Sequence, residues 1–379
     1  MSLRRHQTSL MGGITALTLT LLAGCTPAPP PINHQGSVVA QGLNGPQGVY
    51  VGSDGAVWIA DSGTGGPNSF TTPAGPGSTD PTVNMYGNTA RIIRVNAQGA
   101  ATTVATLTSV AGAEGPEGAS RLAELGGKLY ISTGHWGDGA SIAQLPQTSV
   151  LLRLDDSGVT QIANAWTFEA AQNPDGQEKD SHAYGLAAGP DGQLWMTDAG
   201  ANDLLRVNPA TGEITLVTVF DNLPNDNPGP GIPPTSQAVP TGIAFLNDGA
   251  AYVSLLPGFP FTPGSSKVVR VASDGTQTDW ATGLTMTTDL TTGPDGNLYA
   301  VQLGLFGGQG FTPNTGSVVR LKAGGVKETL LTGLDTPTSV AFNQKGDAFI
   351  SVGGAAAPGT GKVLRWDGLT SKSPVAASD

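Results

Sequence analysis

The sequence predicts an all-β fold, specifically a six-bladed β-propeller, from three recurring features. Six short hydrophobic segments (AVWIAD, KLYIST, QLWMTD, AAYVSL, NLYAVQ and DAFISV) carry an aromatic at the same place: Trp58, Tyr130, Trp195, Tyr252, Tyr299 and Phe349, spaced 47 to 72 residues apart. A glycine-containing turn precedes each one: Ser53-Asp54-Gly55, Leu125-Gly126-Gly127, Pro190-Asp191-Gly192, Asn247-Asp248-Gly249, Pro294-Asp295-Gly296 and Gln344-Lys345-Gly346. An arginine then recurs in the following strand, as Arg94, Arg153, Arg206, Arg270, Arg320 and Arg365. A unit of several short strands that repeats while its loops vary is the signature of a propeller. A linear β-solenoid is the alternative stacking of the same repeat.

Each element of the unit has a physical reason. The strand before the turn is built of small residues (GVYVG, GASRLAEL, GLAAGP, GIAFL, DLTTGP, SVAFN), which suits an innermost strand crowded against the axis. The turns supply the positive φ angles that two-residue hairpins need. The arginine strand is third, and a fourth follows in five units: ATTVATL, VTQIAN, ITLVTVF, TQTDWATG and KETLLTG. The sixth unit lacks one, and SVVAQGL (Ser37–Leu43) resembles the missing strand. The N-terminal strand is therefore expected to complete the last blade and close the ring, which protects an edge. Because the arginine occupies the same slot in every unit, it reads as structural. Helix is expected only at Thr167–Gly176.

The first 24 residues read as an export signal: Arg4 and Arg5, then an apolar stretch from Met11 to Leu22 that is too short to span a bilayer. Leu22-Ala23-Gly24-Cys25 resembles a bacterial lipobox, which implies lipid attachment at Cys25 and a membrane-anchored, extracytoplasmic lipoprotein at the periplasm or cell surface. Acyl chains of this kind anchor stably. Cys25 is the only cysteine, so no intramolecular disulfide forms. Residues 25–35 read as a Pro-rich tether, 36–369 as the propeller and 370–379 as a flexible tail. The net charge of −11 disfavours nucleic acid as a partner. The chain is expected to be a monomer. Its 55 glycines and 28 prolines fit many turns rather than disorder, since the strand pattern is periodic.

The long insertions all open from one mouth, where aromatic strands end and innermost strands begin, so a site is expected there. Asp61, Glu117, Asp198 and Asp289 fall at those ends, with Asn202 and Gln302 among them. Clustered carboxylates with amide oxygens suit a hard cation such as Ca²⁺; the competing reading makes Asp61 and Asp198 turn caps. His135-Trp136 and His182-Ala183-Tyr184 face the same rim as candidate ligand-binding residues, or as solvated loop residues. The loop Leu255–Phe261 is apolar and would form either a contact surface or a plug. No zinc motif, nucleophile elbow or haem attachment motif occurs.

At these motifs the chain resembles the ScyD/ScyE family of exported propellers, and more broadly NHL- and TolB-like propellers. The carrying segments are GLNGPQGVYVGSDGAVWIADSGTGG, EAAQNPDGQEKDSHAYGLAAGPDGQLWMTDAGANDLLRVNP and LLPGFPFTPG. The resemblance covers about Gly36 to Gly368 and implies the six-bladed fold and export, with no catalytic residues to carry over. A more distant resemblance is to metal-dependent lactonases of the gluconolactonase type, through Glu114-Gly115-Pro116, although that motif lies in the second repeat here rather than the first. The expectation is a lipid-anchored propeller that binds a protein or small ligand through its insertion face, rather than an enzyme. The alternative is a Ca²⁺-dependent lactonase or hydrolase at the axial mouth. A purely structural envelope component would have that mouth plugged by side chains.

Overall fold

The computed structural model describes residues 36–375 except 75–78, 113–114, 226–227, 230–231 and 309. The expected signal, Cys25 and the tether therefore lie outside the described residues, as do Glu114 and the last four residues of the tail.

Among the described residues the chain forms six antiparallel sheets of at least four strands, in sequence order, besides two two-stranded ribbons. Sheet I is built on Pro46–Val51, Val57–Asp61, Thr82–Val95 and Ala101–Gly112, and sheet II on Ala119–Leu125, Lys128–Thr133, Val150–Asp155 and Gly158–Asn164. Sheet III comprises Asp180–Ala188, Leu194–Asp198, Asp203–Val207 and Ile214–Val219; sheet IV comprises Pro240–Phe245, Ala251–Leu255, Ser266–Val271 and Gln277–Leu284. Sheet V runs through Thr287–Thr292, Leu298–Gln302, Gly316–Lys322 and Val326–Leu334. Sheet VI has Ser339–Phe342, Ala348–Val352 and Gly361–Trp366, with Ser37–Leu43 as its fourth strand.

The core is divided among the gaps between sheets. Ala60, Ile92, Leu122 and Ile131 fill the gap from I to II. Tyr130, Leu151, Leu186 and Met196 fill that from II to III, and Trp195, Leu204, Ile243 and Val253 that from III to IV. Tyr252, Val268, Leu290 and Val319 follow between IV and V, then Val301, Val318, Val340 and Ile350 between V and VI. The sixth cluster joins VI back to I through Val49, Ile59, Phe349 and Leu43. The first strands of the sheets touch in the same order and return from VI to I. Glycine permits this approach: a Cβ on Gly185 would stand 1.9 Å from the Thr241 carbonyl oxygen of the next sheet, and one on Gly242 would stand 2.1 Å from the Leu290 nitrogen.

Each repeated aromatic lies directly opposite the repeated arginine: Trp58 opposite Arg94, Tyr130 opposite Arg153, Trp195 opposite Arg206, Tyr252 opposite Arg270, Tyr299 opposite Arg320 and Phe349 opposite Arg365. The turn aspartate completes a local set. Asp248 caps its turn by accepting the Ala250 N–H, then accepts from Tyr252 Oη at 3.1 Å and Arg270 Nε at 2.9 Å. Asp54 does the same with Ala56 and Arg94. The recurring arginines are thus structural.

Two details differ from the sequence reading. Only Gly126-Gly127, with both φ angles positive, makes a two-residue hairpin, between Leu125 and Lys128. In the Asp-Gly turns the glycine alone is left-handed, as in a turn closed by Gly55 N–H to the Gly52 carbonyl. The aspartate stays in ordinary backbone because its side chain caps the turn. The helix runs Ala165–Gln172, two residues earlier than expected at its start, because the Asn164 side chain caps it by accepting the Thr167 N–H. Asn173 ends it in the left-handed region.

Candidate functional site

The axis is sealed by a residue of the second innermost strand. Arg121 is 4% exposed and donates all five of its N–H groups. Nε reaches Asp289 Oδ1 at 3.4 Å, Nη1 reaches the Gln47 and Ser120 carbonyls, and Nη2 reaches the Thr288 and Thr338 carbonyls at 2.7 and 2.8 Å. Its guanidinium also lies 4.3 Å from the centre of the Tyr184 ring. One side chain therefore ties sheets I, II, III, V and VI together. Beyond it, a cavity of about 340 Å³ is lined by first-strand residues of all six sheets, including Val49, Leu122, Leu186, Ile243, Leu290 and Val340.

The four carboxylates expected to converge do not. Asp61 is fully buried in its own sheet, where Arg91 Nη2 reaches it at 2.5 Å and the Asn44 N–H at 2.7 Å. Burial pushes its carboxyl up, with Arg91 opposing. Asp198 accepts Ser181 Oγ at 2.5 Å and the His182 and Ala201 N–H groups, so it serves as the turn cap. Asp289 is taken by Arg121 and by the Leu290 and Val340 N–H groups. Glu117 belongs not to an innermost strand but to Gly115–Glu117, which pairs with the outer strand of sheet I. Among the described residues, no three His, Cys, Asp or Glu side chains are arranged to hold a metal ion.

Of the remaining candidates, Asn202 and Gln302 are structural. Asn202 donates to Asp175 and accepts from the Val239 N–H; Gln302 bridges the Thr285 N–H and Ser317. Trp136 is 4% exposed and stacks on Phe70 at 5.2 Å, beneath the first insertion. The apolar loop is divided between packing and exposure. Phe261 packs on Phe306 at 4.9 Å, while Phe259 stays 54% exposed.

One group does assemble. His135–Gly137 leaves sheet II and adds to the edge of sheet III, placing His135 directly opposite His182. Glu117 lies between the two imidazoles, 3.7 Å from His135 Nδ1 and 3.9 Å from His182 Nδ1, and it also accepts the His135 N–H at 3.2 Å. His135 Nε2 meets Asp180 Oδ1 at 2.6 Å. Burial works against the Asp180 charge, but the His135 imidazole, helped by His182 and the Ser181 N–H, outweighs it and holds the carboxyl below its ordinary value. His182 packs edge-on against Tyr184, whose hydroxyl donates to Gln47 Oε1 at 3.0 Å. The group therefore stands on the Arg121 seal, with its imidazoles and carboxylates partly open to solvent. Sequence reasoning found four of these residues and missed Asp180 and Arg121. Arg121 had a visible signal as the one cation in the six small-residue strands.

This fold defines an all-β protein of the propeller type. No family model matches the chain, and no curated protein matches it in sequence. Among solved structures it is similar to a calcium-binding protein, regucalcin, from Agrobacterium tumefaciens strain C58, with 14% identity over 87% of this chain and 92% of that chain and a TM-score of 0.50. It is also similar to a protein from Thermus thermophilus provisionally named an oxidoreductase (glucose dehydrogenase), with 18% identity over 87% and 98% of the two chains and a TM-score of 0.50. A third, provisionally named a gluconolactonase, has 13% identity over 88% and 93%, again with a TM-score of 0.50. At these identities the likeness is one of fold.

Proposed function

We propose that the chain is a six-bladed β-propeller, closed by its N-terminal strand, that binds a small polar molecule at the rim formed by His135, Glu117, His182 and Asp180. Six sheets, six inter-sheet cores and the pairing of Ser37–Leu43 with Gly361–Trp366 support the architecture. The observation that carries the site is Glu117 placed between two imidazoles above a sealed axis. Such a rim offers both donors and acceptors to a hydroxylated or carbonyl-bearing ligand.

A second reading makes the ligand a substrate, and a protein provisionally named a gluconolactonase that shares the fold favours it. Hydrolysis of a lactone or ester would then occur at the rim rather than through a carboxylate cluster on the axis. Glu117 would take the proton of the attacking water, and an imidazole would protonate the leaving oxygen. We retain from the sequence the proposals of lipid attachment at Cys25, an extracytoplasmic location and kinship with ScyD/ScyE proteins.

The test is a panel of lactones and aryl esters, with turnover and binding measured on the wild type and Glu117→Gln. Turnover that falls at least about a hundredfold in the variant supports hydrolysis. Binding without turnover, lost in the variant, supports recognition alone. A wild type that neither binds nor turns over any member overturns the rim as the site.

A further inference from the structure

The helix Ala165–Gln172 turns a carboxylate inward. Glu169 is 1% exposed, and neither of its carboxylate oxygens has a hydrogen-bond partner. Asp203, which opens the third strand of sheet III, is fully buried, and both of its oxygens are likewise unpartnered. In the loop after the helix, Asn173 Oδ1 is a fifth buried oxygen without a partner. All five are acceptors, and no donor has been brought to them. An ionised carboxylate left in this condition is among the most costly arrangements a folded chain can hold.

The surroundings deepen the cost instead of relieving it. Burial first, then the charges of Asp198, Asp175 and Asp180, push the Glu169 carboxyl up to about 7, with Lys179 opposing. Burial, then Asp198, Glu169 and Asp175, hold Asp203 well above its ordinary value. Lys179, which opposes them at Glu169, spends its ammonium on the Ala170 carbonyl at 2.7 Å, closing the helix end. Neighbouring polar groups are already committed. Asn202 donates to Asp175 Oδ2, and Asp198 is filled by Ser181 and two backbone N–H groups. The fold has therefore partnered Lys179, Asn202 and Asp198 and left both oxygens of Glu169 and of Asp203 bare.

We infer that Glu169 and Asp203 bind a Ca²⁺ ion between the helix and sheet III, at a site separate from the rim. Ca²⁺ takes six to eight oxygens and tolerates irregular geometry. Two carboxylates, the Asn173 amide oxygen, loop carbonyls and water supply that kind of shell. Two carboxylates also balance a divalent charge, and a third from Asp175 or Asp198 is not required. The ion would clamp the helix and its following loop to the third strand of sheet III. The competing arrangement is a shared proton: one carboxyl stays neutral and donates to the other, with no metal involved.

Thermal unfolding of the full chain separates the two. After chelation at pH 7.5, Ca²⁺ alone is added to the wild type, to Asp203→Asn and to Glu169→Gln. The expected result is a rise in Tm of several degrees for the wild type, one equivalent of Ca²⁺ bound by calorimetry, and no rise in either variant. Both variants lose a buried charge, so they remain folded and their Tm in chelator is at least that of the wild type. A wild type unmoved by Ca²⁺ overturns the site, as does a rise that persists in both variants. The rim test is independent, since Glu117→Gln leaves this response in place.

Discussion

Arg121 on the axis and the Glu169–Asp203 pair beside sheet III are equally buried and sit in opposite electrical conditions. The guanidinium has an acceptor for each of its five donors; the carboxylates have a donor for none of their four oxygens. Desolvation costs the two regions similarly, so the difference lies in what offsets it. At the axis the offset is the fold itself, through carbonyls from sheets I, II, V and VI. Beside sheet III the offset has to come from outside the chain, as a cation or a proton. A fully satisfied buried charge marks a structural keystone, whereas an unsatisfied one marks a place where something is bound.

The comparison can be broken most forcefully at the axis. Arg121→Met leaves Asp289 without its cation and takes the guanidinium from the Gln47, Thr288 and Thr338 carbonyls. It should cost about 3–5 kcal/mol, the range for removing one partner of a buried pair, measured by urea unfolding. A loss below about 1 kcal/mol would show that the seal is not a keystone. The other half of the comparison predicts the opposite sign. In chelator, Asp203→Asn should gain on the order of 1–3 kcal/mol, because an acceptor left bare is replaced by a group able to donate.

Acid unfolding sharpens the contrast at a satisfied carboxylate. Burial works against the Asp347 charge, but the Asn343 amide, the Gly368 N–H and the Arg365 guanidinium together hold its pKa below the ordinary value. Its folded pKa is depressed, so its stabilisation is complete above the ordinary carboxylate value of about 3.8 and is lost as pH falls through the lower folded value. Asp347→Asn should therefore flatten the decline in stability between about pH 4 and pH 2, read as Tm against pH. The smallest effect is expected at Arg94→Ala. Its partner Asp54 is more than half exposed, so the pair contributes about 0–1 kcal/mol.

Much of the fold was legible because the repeat is written in residues with one job each. The aromatic, the turn glycine and the arginine recur at fixed offsets, and in the structure the aromatic and arginine face one another across two strands. The candidate site was legible only in part. His135, His182, Glu117 and Tyr184 follow from where insertions open, and the structure does bring them together. Asp61, Asp198 and Asp289 were also at strand ends, but position along a strand does not say which way a side chain turns. Each turned into its own surroundings to accept backbone N–H groups. Glu169 was hidden for a related reason: one buried acid on a helix of eight residues leaves no periodic trace.

The joints between sheets near the mouth are stitched by hydroxyls. Ser132 donates to the Tyr184 carbonyl, Thr197 to that of Thr241, Thr241 to that of Thr287, Thr288 to that of Pro337, and Thr338 to that of Pro46. The last of these stitches, like the strand pair Ser37–Leu43 with Gly361–Trp366, joins residues far apart along the chain; Ser37 and Arg365 are 328 positions apart. Sheets II to V can form as each emerges, but sheet VI and the VI-to-I core must wait until Gly361–Trp366 has been made. Until then Ser37–Leu43 is an unpaired strand, and a chaperone or a neighbouring nascent chain can compete for it.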